Sequence, residues 1–385
     1  MRAVLFLTIG VCCTATTARG GIICCPSPYR PLAEQAQHAD VIATAIWISA
    51  DRKASAFPAR ASFRFDQVVR SSKRTVKPGE LVSVPVHVAG KRDQLFLLLR
   101  RSSAGRLEWD DPLPWNADRG RYLRNAPLPT AKVRQQISFF ANHLDSKDPT
   151  IAEDAHHVLD GFRYRDLIQH ADVLPRDSLR KLVANPQTPG NRKLLFGVLL
   201  GFCGRPADAK LLETIMLRDP AADEVRLEIE GVMTGYLWLA GDAGLQRLEK
   251  TKLLDWTQSV SERYSAMSAV VVLLDNGKGR IKTERLLQSL RDLLDDAGLA
   301  ELVIHALARH KDWSVQDRLM KQFGNPRYGK GFKQAVVKYM LVCERQAVKT
   351  RNGKPPLHVI RARAYLRQLE QRDPKTVAAV KRWFE

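Results

Sequence analysis

Glu153-x-x-His156 sets a carboxylate and an imidazole one helical turn apart, half of the ligand set of a di-iron carboxylate site. The other half, a second Glu-x-x-His on another helix, is missing from the chain. His157 follows directly, but neighbouring residues of a regular helix point about 100° apart. The two imidazoles are therefore not expected to chelate one ion. Glu301 and His305, at i and i+4, with His310 nearby, would supply two ligands without a partner cluster. Both groups read as solvated helix-face residues, and no metal site is assigned.

Gly324-Asn325-Pro326-Arg327-Tyr328-Gly329-Lys330-Gly331 falls one residue short of the phosphate-cradling loop GxxxxGK(S/T). Gly331 has no hydroxyl for Mg²⁺, and a helix rather than a strand precedes the run. The stretch reads instead as a helix end at Phe323, closed by Gly324 and stopped by Pro326. The sequence contains no GxSxG, no HExxH and no recognisable Cys–His pairing. Asp110-Asp111 and Asp295-Asp296 sit where turns and helix ends use carboxylates as caps. A hydrolase would have to draw His38, Asp40, Trp109 and Asp111 into one cleft. No catalytic residue, cofactor or nucleotide is expected.

Charge is the stronger signal. The 61 Lys and Arg against 41 Asp and Glu leave a formal net charge of +20. The excess is local: residues 318–385 hold 17 basic against 4 acidic residues, whereas residues 129–317 hold 25 against 27. Lys349, Arg351 and Lys354 in the loop KTRNGKPP, with Arg361, Arg363 and Arg367 after it, make the candidate binding surface. Such a surface would attract a polyanion, an anionic lipid surface or an acidic protein through its field and through counterion release. The aromatics among them (Tyr328, Phe332, Tyr339, Tyr365 and Trp383) fall at helix-core spacing rather than as a base-stacking platform.

These residues are carried by 385 residues, more than one compact core usually takes. A composition 45% hydrophobic and 26% charged is that of globular protein. Residues 1–20 read as a secretory signal peptide: Arg2, the apolar run AVLFLTIGVCC, and small residues with Thr16-x-Ala18 at the cleavage point. The expected location is secreted or periplasmic. No later stretch reaches the roughly 18 apolar residues of a membrane span, so the mature chain is expected to have none. Cys24, Cys25, Cys203 and Cys343 would survive processing, the last two as buried thiols in apolar helical contexts.

Residues 21–101 read as β structure. LVSVPVHV alternates with period two, QLFLLLR is a continuous central-strand run, and Lys77-Pro78-Gly79-Glu80 is a turn. Residues 102–129, rich in Trp and Pro, read as a packed linker that Trp109, Trp115 and Tyr122 anchor against the barrel. From residue 130 to 385 the period becomes 3.6, in stripes such as Thr130–Leu144, Pro149–Leu159, Val225–Leu239, Ala243–Leu254 and Val260–Leu274. Asp148-Pro149, Thr188-Pro189-Gly190 and Asp219-Pro220 punctuate them. Successive helices with short connections predict a repeat array whose core comes from stacking.

Ser146-Lys147-Asp148-Pro149 followed by Ile151, Ala155 and Leu159 resembles the opening of HEAT-type repeats. ADVI, FRFDQVVR, VKPGELVSVPV and LFLLL resemble, more weakly, the netrin-like and metalloprotease-inhibitor-like OB-type domains. Together the two look like a group of exported bacterial proteins of unassigned role. The inhibitor resemblance implies an N-terminal cysteine, Cys24 or Cys25, presenting its amine and carbonyl to a protease zinc. The expected fold is therefore multidomain α+β, a small OB-like β-barrel followed by an α-helical HEAT-like solenoid. The expected role is non-catalytic binding or scaffolding with a protein partner in the cell envelope. A polyanion- or anionic-membrane-binding protein is the first alternative, and a hydrolase or protease inhibitor the second.

Overall fold

The computed structural model describes residues 31–50, 59–71, 76–103, 106–220, 224–346 and 355–384. The signal-peptide reading, Cys24, Cys25, and the candidate residues Lys349, Arg351 and Lys354 lie outside the described residues. The chain divides into two compact units, Met1–Val173 and Leu174–Glu385. The layout is α+β: an antiparallel sheet followed by a long succession of helices.

The first unit opens with α1 (Leu32–His38), then β1 (Val41–Ala50), β2 (Ala61–Ser71), β3 (Leu81–Val84), β4 (Leu95–Ser103), β5 (Arg106–Trp109) and β6 (Leu113–Pro114). Helices α2 (Ala117–Asn125), α3 (Val133–Ala141), α4 (Pro149–Asp160) and α5 (Tyr164–Gln169) complete it. The strand order is β3-β2-β1-β4-β5, with β6 also on β4, and every pairing is antiparallel. Alternation decides which side chains go inward. Val41, Ala43 and Ala45 from β1, Phe63 and Phe65 from β2, and Phe96 and Leu98 from β4 fill one face. Phe63 and Phe96 meet there edge to face at 5.5 Å. Register shifts after Ile42, Thr44 and Trp47 interrupt the β1–β2 ladder. Bulges of this kind bend strands, and the sheet curls into a half-barrel around that cluster. Its other face carries Leu97 and Leu99, packed by Ile42, Leu113, Trp115 and Leu123.

Residues 102–129 hold more regular structure than their composition suggests. They finish β4 and supply β5, β6 and α2. Strands of four and two residues are too short to show a period, which is why the stretch reads as irregular. Trp109 and Trp115 do pack on the sheet, on opposite faces. Tyr122 packs on α3, 5.3 Å from Phe139 and 6.3 Å from Phe140 between ring centres.

The second unit runs through α6 (Arg176–Ala184), α7 (Gly190–Cys203), α8 (Pro206–Leu217), α9 (Ile229–Leu248), α10 (Val260–Asn276) and α11 (Thr283–Asp292). It continues with α12 (Ala300–Arg309), α13 (Gln316–Gln322), α14 (Lys330–Arg345), α15 (Leu357–Arg372) and α16 (Pro374–Phe384). The stripes Val225–Leu239 and Ala243–Leu254 correspond to two helical stretches of α9, separated by the non-helical Gly241 (φ 61°, ψ −140°), and a π turn follows at Glu249–Leu253. α7 and α9 pack through glycines: a methyl on Gly197 would come 2.8 Å from the Gly231 carbonyl carbon, and one on Gly201 2.5 Å from the Gly235 Cα. Phe323 ends α13, and Gly324 takes a left-handed conformation (φ 91°), as a helix stop requires. No helix among the described residues is long and apolar enough to cross a membrane.

Candidate functional site

Helix α4 gathers the chemistry-bearing residues of the first unit. It starts where it does because Asp148 is a good cap and Pro149 suits the first helical position. The Asp148 carboxylate accepts from the Thr150 amide at 2.9 Å. It is also gripped by Arg119, through Nε at 2.8 Å and Nη2 at 3.1 Å, and by Asn116 Nδ2 at 2.7 Å. Desolvation alone would raise this carboxyl. The Arg119 and Asn116 bonds outweigh it and hold the group down at about 2.

A cleft of about 340 Å³ opens beside this cap, lined by Arg121, Tyr122, Phe139, His143, Lys147 and Asp148 among others. His143 lies against Tyr122 and Phe139 (5.0 and 4.4 Å between ring centres), and its Nδ1 sits 2.7 Å from the Phe139 carbonyl. A carbonyl only accepts, so Nδ1 carries the proton and Nε2 remains the basic atom of the neutral ring. Arg121 is held by Asp118 at 2.7 Å.

Deeper along α4, Asp154 is fully buried and doubly bonded, accepting from the Leu32 amide and from the Tyr122 hydroxyl, both at 2.6 Å. This one carboxylate ties α1 and α2 to α4. On a neighbouring face lie Glu153, His156 and His157. Their ligating atoms all fall within 4.8 Å of one another, closer than the 100° step between adjacent residues suggests. Glu153 lies one turn before both histidines, and His157 Nε2 turns back to Glu153 Oε1 at 3.0 Å. His156 is buried rather than solvated, which corrects the expectation of a wet helix face. The second His-containing group behaves otherwise. Burial, with Lys338 nearby, lowers the His305 pKa against the opposing pull of Glu301, while His310 turns to Asp275 at 3.1 Å.

The residues a hydrolase would need are not drawn into that cleft. His38 and Asp111 are exposed, and Trp109 packs beside Phe65 at 6.2 Å with the Arg100 guanidinium 5.4 Å above its ring. Cys203 and Cys343 are thiols, which burial raises to about 11 and about 12, respectively. Neither is poised as a nucleophile at neutral pH.

In the second unit a feature emerges that periodicity alone does not reveal. Arginines pair with an acidic residue at or just before the start of a later helix. Arg176 reaches Asp208 (2.7 Å), Arg226 reaches Glu262 (2.8 Å), Arg263 reaches Asp296 (2.7 Å) and Arg291 reaches Asp312 (2.7 Å). The separations are 32, 36, 33 and 21 residues. Arg119 and Asp148 of the first unit, 29 residues apart, make the same pair. The readable signal is an arginine about one helix pair ahead of an acidic residue that opens a helix.

Of the candidate basic residues, Arg361, Arg363 and Arg367 are all exposed on α15. Arg363 and Arg367 lie about 40° apart around the helix, whereas Arg361 is about 120–160° from both. Arg363 is drawn to Glu344 at 3.3 Å, and Tyr365, whose hydroxyl donates to Asp317 at 2.7 Å, shares the environment of Arg361. No known protein-family model matches the chain, and no curated protein matches it.

Proposed function

We propose that the chain is an exported, non-catalytic binding or scaffolding protein, an OB-like half-barrel followed by HEAT-like helical repeats, acting on a protein partner in the cell envelope. The observation that carries this reading is how the buried carboxylates are used. Asp154, Asp208, Glu262, Asp296 and Asp312 are each committed to an arginine, a tyrosine hydroxyl or a backbone amide. Groups placed this way fix helices against one another and are spent on architecture rather than held ready to move protons. The recurring arginine–acid pair also favours a repeat, since each instance ties an earlier segment, a helix in all but the Arg226 pair, to the head of a later helix. The strand order, with β1 central and bonded to both β2 and β4, is compatible with a five-stranded, partly open OB barrel.

The test is fractionation of cells expressing the full chain, intact-mass analysis of the product, and reciprocal affinity capture after cross-linking in the envelope fraction. A processed chain outside the cytoplasm, captured in fixed ratio with one partner from either side, is the expected result. An unprocessed cytoplasmic chain removes the export reading, and turnover of a hydrolase substrate panel by the purified chain removes the non-catalytic one.

The basic C-terminal stretch favours a second reading, binding to a polyanion or an anionic membrane. The split around α15 sets its test. Charge reversal at Arg363 and Arg367 together should weaken binding to a sulfated polyanion more than reversal at Arg361 alone, with steep salt dependence.

A further inference from the structure

We propose that Glu153, His156 and His157 on α4 form a binding site for one divalent d-block ion of the zinc class, with water completing four-coordination. The donor set is two imidazole nitrogens and a carboxylate oxygen, which suits zinc and its neighbours and does not suit magnesium or calcium.

The geometry is close to what the ion needs. Around a tetrahedral centre with bonds of about 2.0–2.1 Å, donor atoms sit about 3.3 Å apart. Glu153 Oε1 and His157 Nε2 already stand 3.0 Å apart, and all three donors lie within 4.8 Å. The site requires side-chain rotation to close the remainder. The two histidine rings meet edge to face at 5.5 Å between centres.

The buried ring of His156 supplies a ligand shielded from water, while Glu153 and His157 are partly open and give the ion its entry.

The inference is independent of the role proposed above. It is tested on the tag-free full chain, stripped with a chelator and titrated with ZnCl₂ by calorimetry and with CoCl₂ by absorption. The variants are Glu153→Gln, His157→Gln and a Cys24→Ser/Cys25→Ser double. Glu153 and His157 carry the test because a buried His156 variant can fail to fold. Circular dichroism and the melting temperature in EDTA check each variant's fold.

One zinc per chain is expected, with affinity at least about tenfold weaker in each single variant, since even outer-shell changes cost about 10–100-fold. The cysteine double variant should keep the stoichiometry, and the cobalt spectrum should show ligand-field bands without a thiolate charge-transfer band. Zinc should raise the melting temperature of the wild type and leave that of Glu153→Gln little changed. The proposal fails if the wild type takes up no ion, if both single variants bind as it does, or if the cysteine variant loses the bound equivalent.

Discussion

Arg226 holds Glu262 through two parallel bonds, Nε to Oε1 at 2.8 Å and Nη2 to Oε2 at 2.5 Å, and both residues are buried. Arg226 also donates to the Ile215 and Met216 carbonyls at the end of α8, at 3.0 and 3.3 Å. One guanidinium thus joins the last turn of α8 to the first turn of α10. Lys252, itself buried, places its ammonium 3.1 Å from the same carboxylate.

Breaking this group from one side should cost far more than replacing it. Arg226→Ala leaves Glu262 buried with a single cation and exposes two helix-end carbonyls to an empty space. A loss of about 3–5 kcal/mol in urea unfolding is expected. Converting Arg226, Lys252 and Glu262 together to methionine should lose much less, because no charge is then stranded. Equal losses in the two proteins would show that packing, not charge pairing, governs the position.

Acid should weaken the fold through the same class of contact. Desolvation would raise the carboxyls of Asp208 and Glu262. The Arg205 amide with Arg176 and Arg180, and Arg226 with Lys252, more than offset this and lower both pKa values. With Asp148 at about 2 against an ordinary 3.8, all three groups have folded values below unfolded ones. Their stabilisation is complete above the unfolded values and disappears as pH falls through the folded ones. Glu230, raised by burial, works in the opposite direction. Chemical unfolding should therefore need progressively less denaturant below about pH 4. Asp208→Asn should show a shallower decline than the wild type, and identical slopes would remove Asp208 from the account.

Asp148 is both a cap and an ion-pair partner, and two substitutions separate the roles. Asp148→Asn keeps an oxygen for the Thr150 amide but loses the charge facing Arg119. Asp148→Ala loses both, and should cost about 2–4 kcal/mol. The asparagine variant should fall between alanine and wild type in thermal unfolding. If it matches alanine, the pair with Arg119 carries the effect and the cap contributes little.

At Gly231 helix propensity and packing pull in opposite directions. Alanine in place of glycine inside an exposed helix is worth about 1 kcal/mol. Here the added methyl would run into the Leu194 carbonyl of α7. Overpacking of this kind costs about 1–3 kcal/mol, and more where the obstacle is backbone. Gly231→Ala should therefore lower the melting temperature. An unchanged or higher value would mean that the α7–α9 seam can widen freely.

Long apolar stripes were the most legible part of the chain. Pro149–Leu159 and Val260–Leu274 correspond to α4 and α10 within two residues at each end. Val225–Leu239 and Ala243–Leu254 read as two stripes, and Gly241, whose conformation is not helical, breaks α9 between them. β5 and β6 were illegible because so few residues contribute to each. The cluster on α4 is hidden from the sequence for a different reason. Wheel angles fix where Cβ atoms point, but an imidazole adds two rotatable bonds beyond, and His157 uses them to return to Glu153. Pairs such as Arg263 and Asp296 leave no local trace, since the partners are far apart in sequence and each alone looks like a surface charge.

The arginine–acid pairs of the second unit span only 21 to 36 residues each. Such short-range linkage sets how the unit comes apart. A helix freed at one end first loses the pair it makes with a near neighbour in sequence, so opening is expected to begin stepwise from that end, like a zip drawn tooth by tooth. α16 is fastened by the buried Val377, by Lys381 pairing with Glu370 of α15, and at its head by Asp373, 3.5 Å from Lys333, with these charged partners all reaching solvent. Disassembly of the unit has a natural starting point there, and the glycine seam between α7 and α9 is where it would stall.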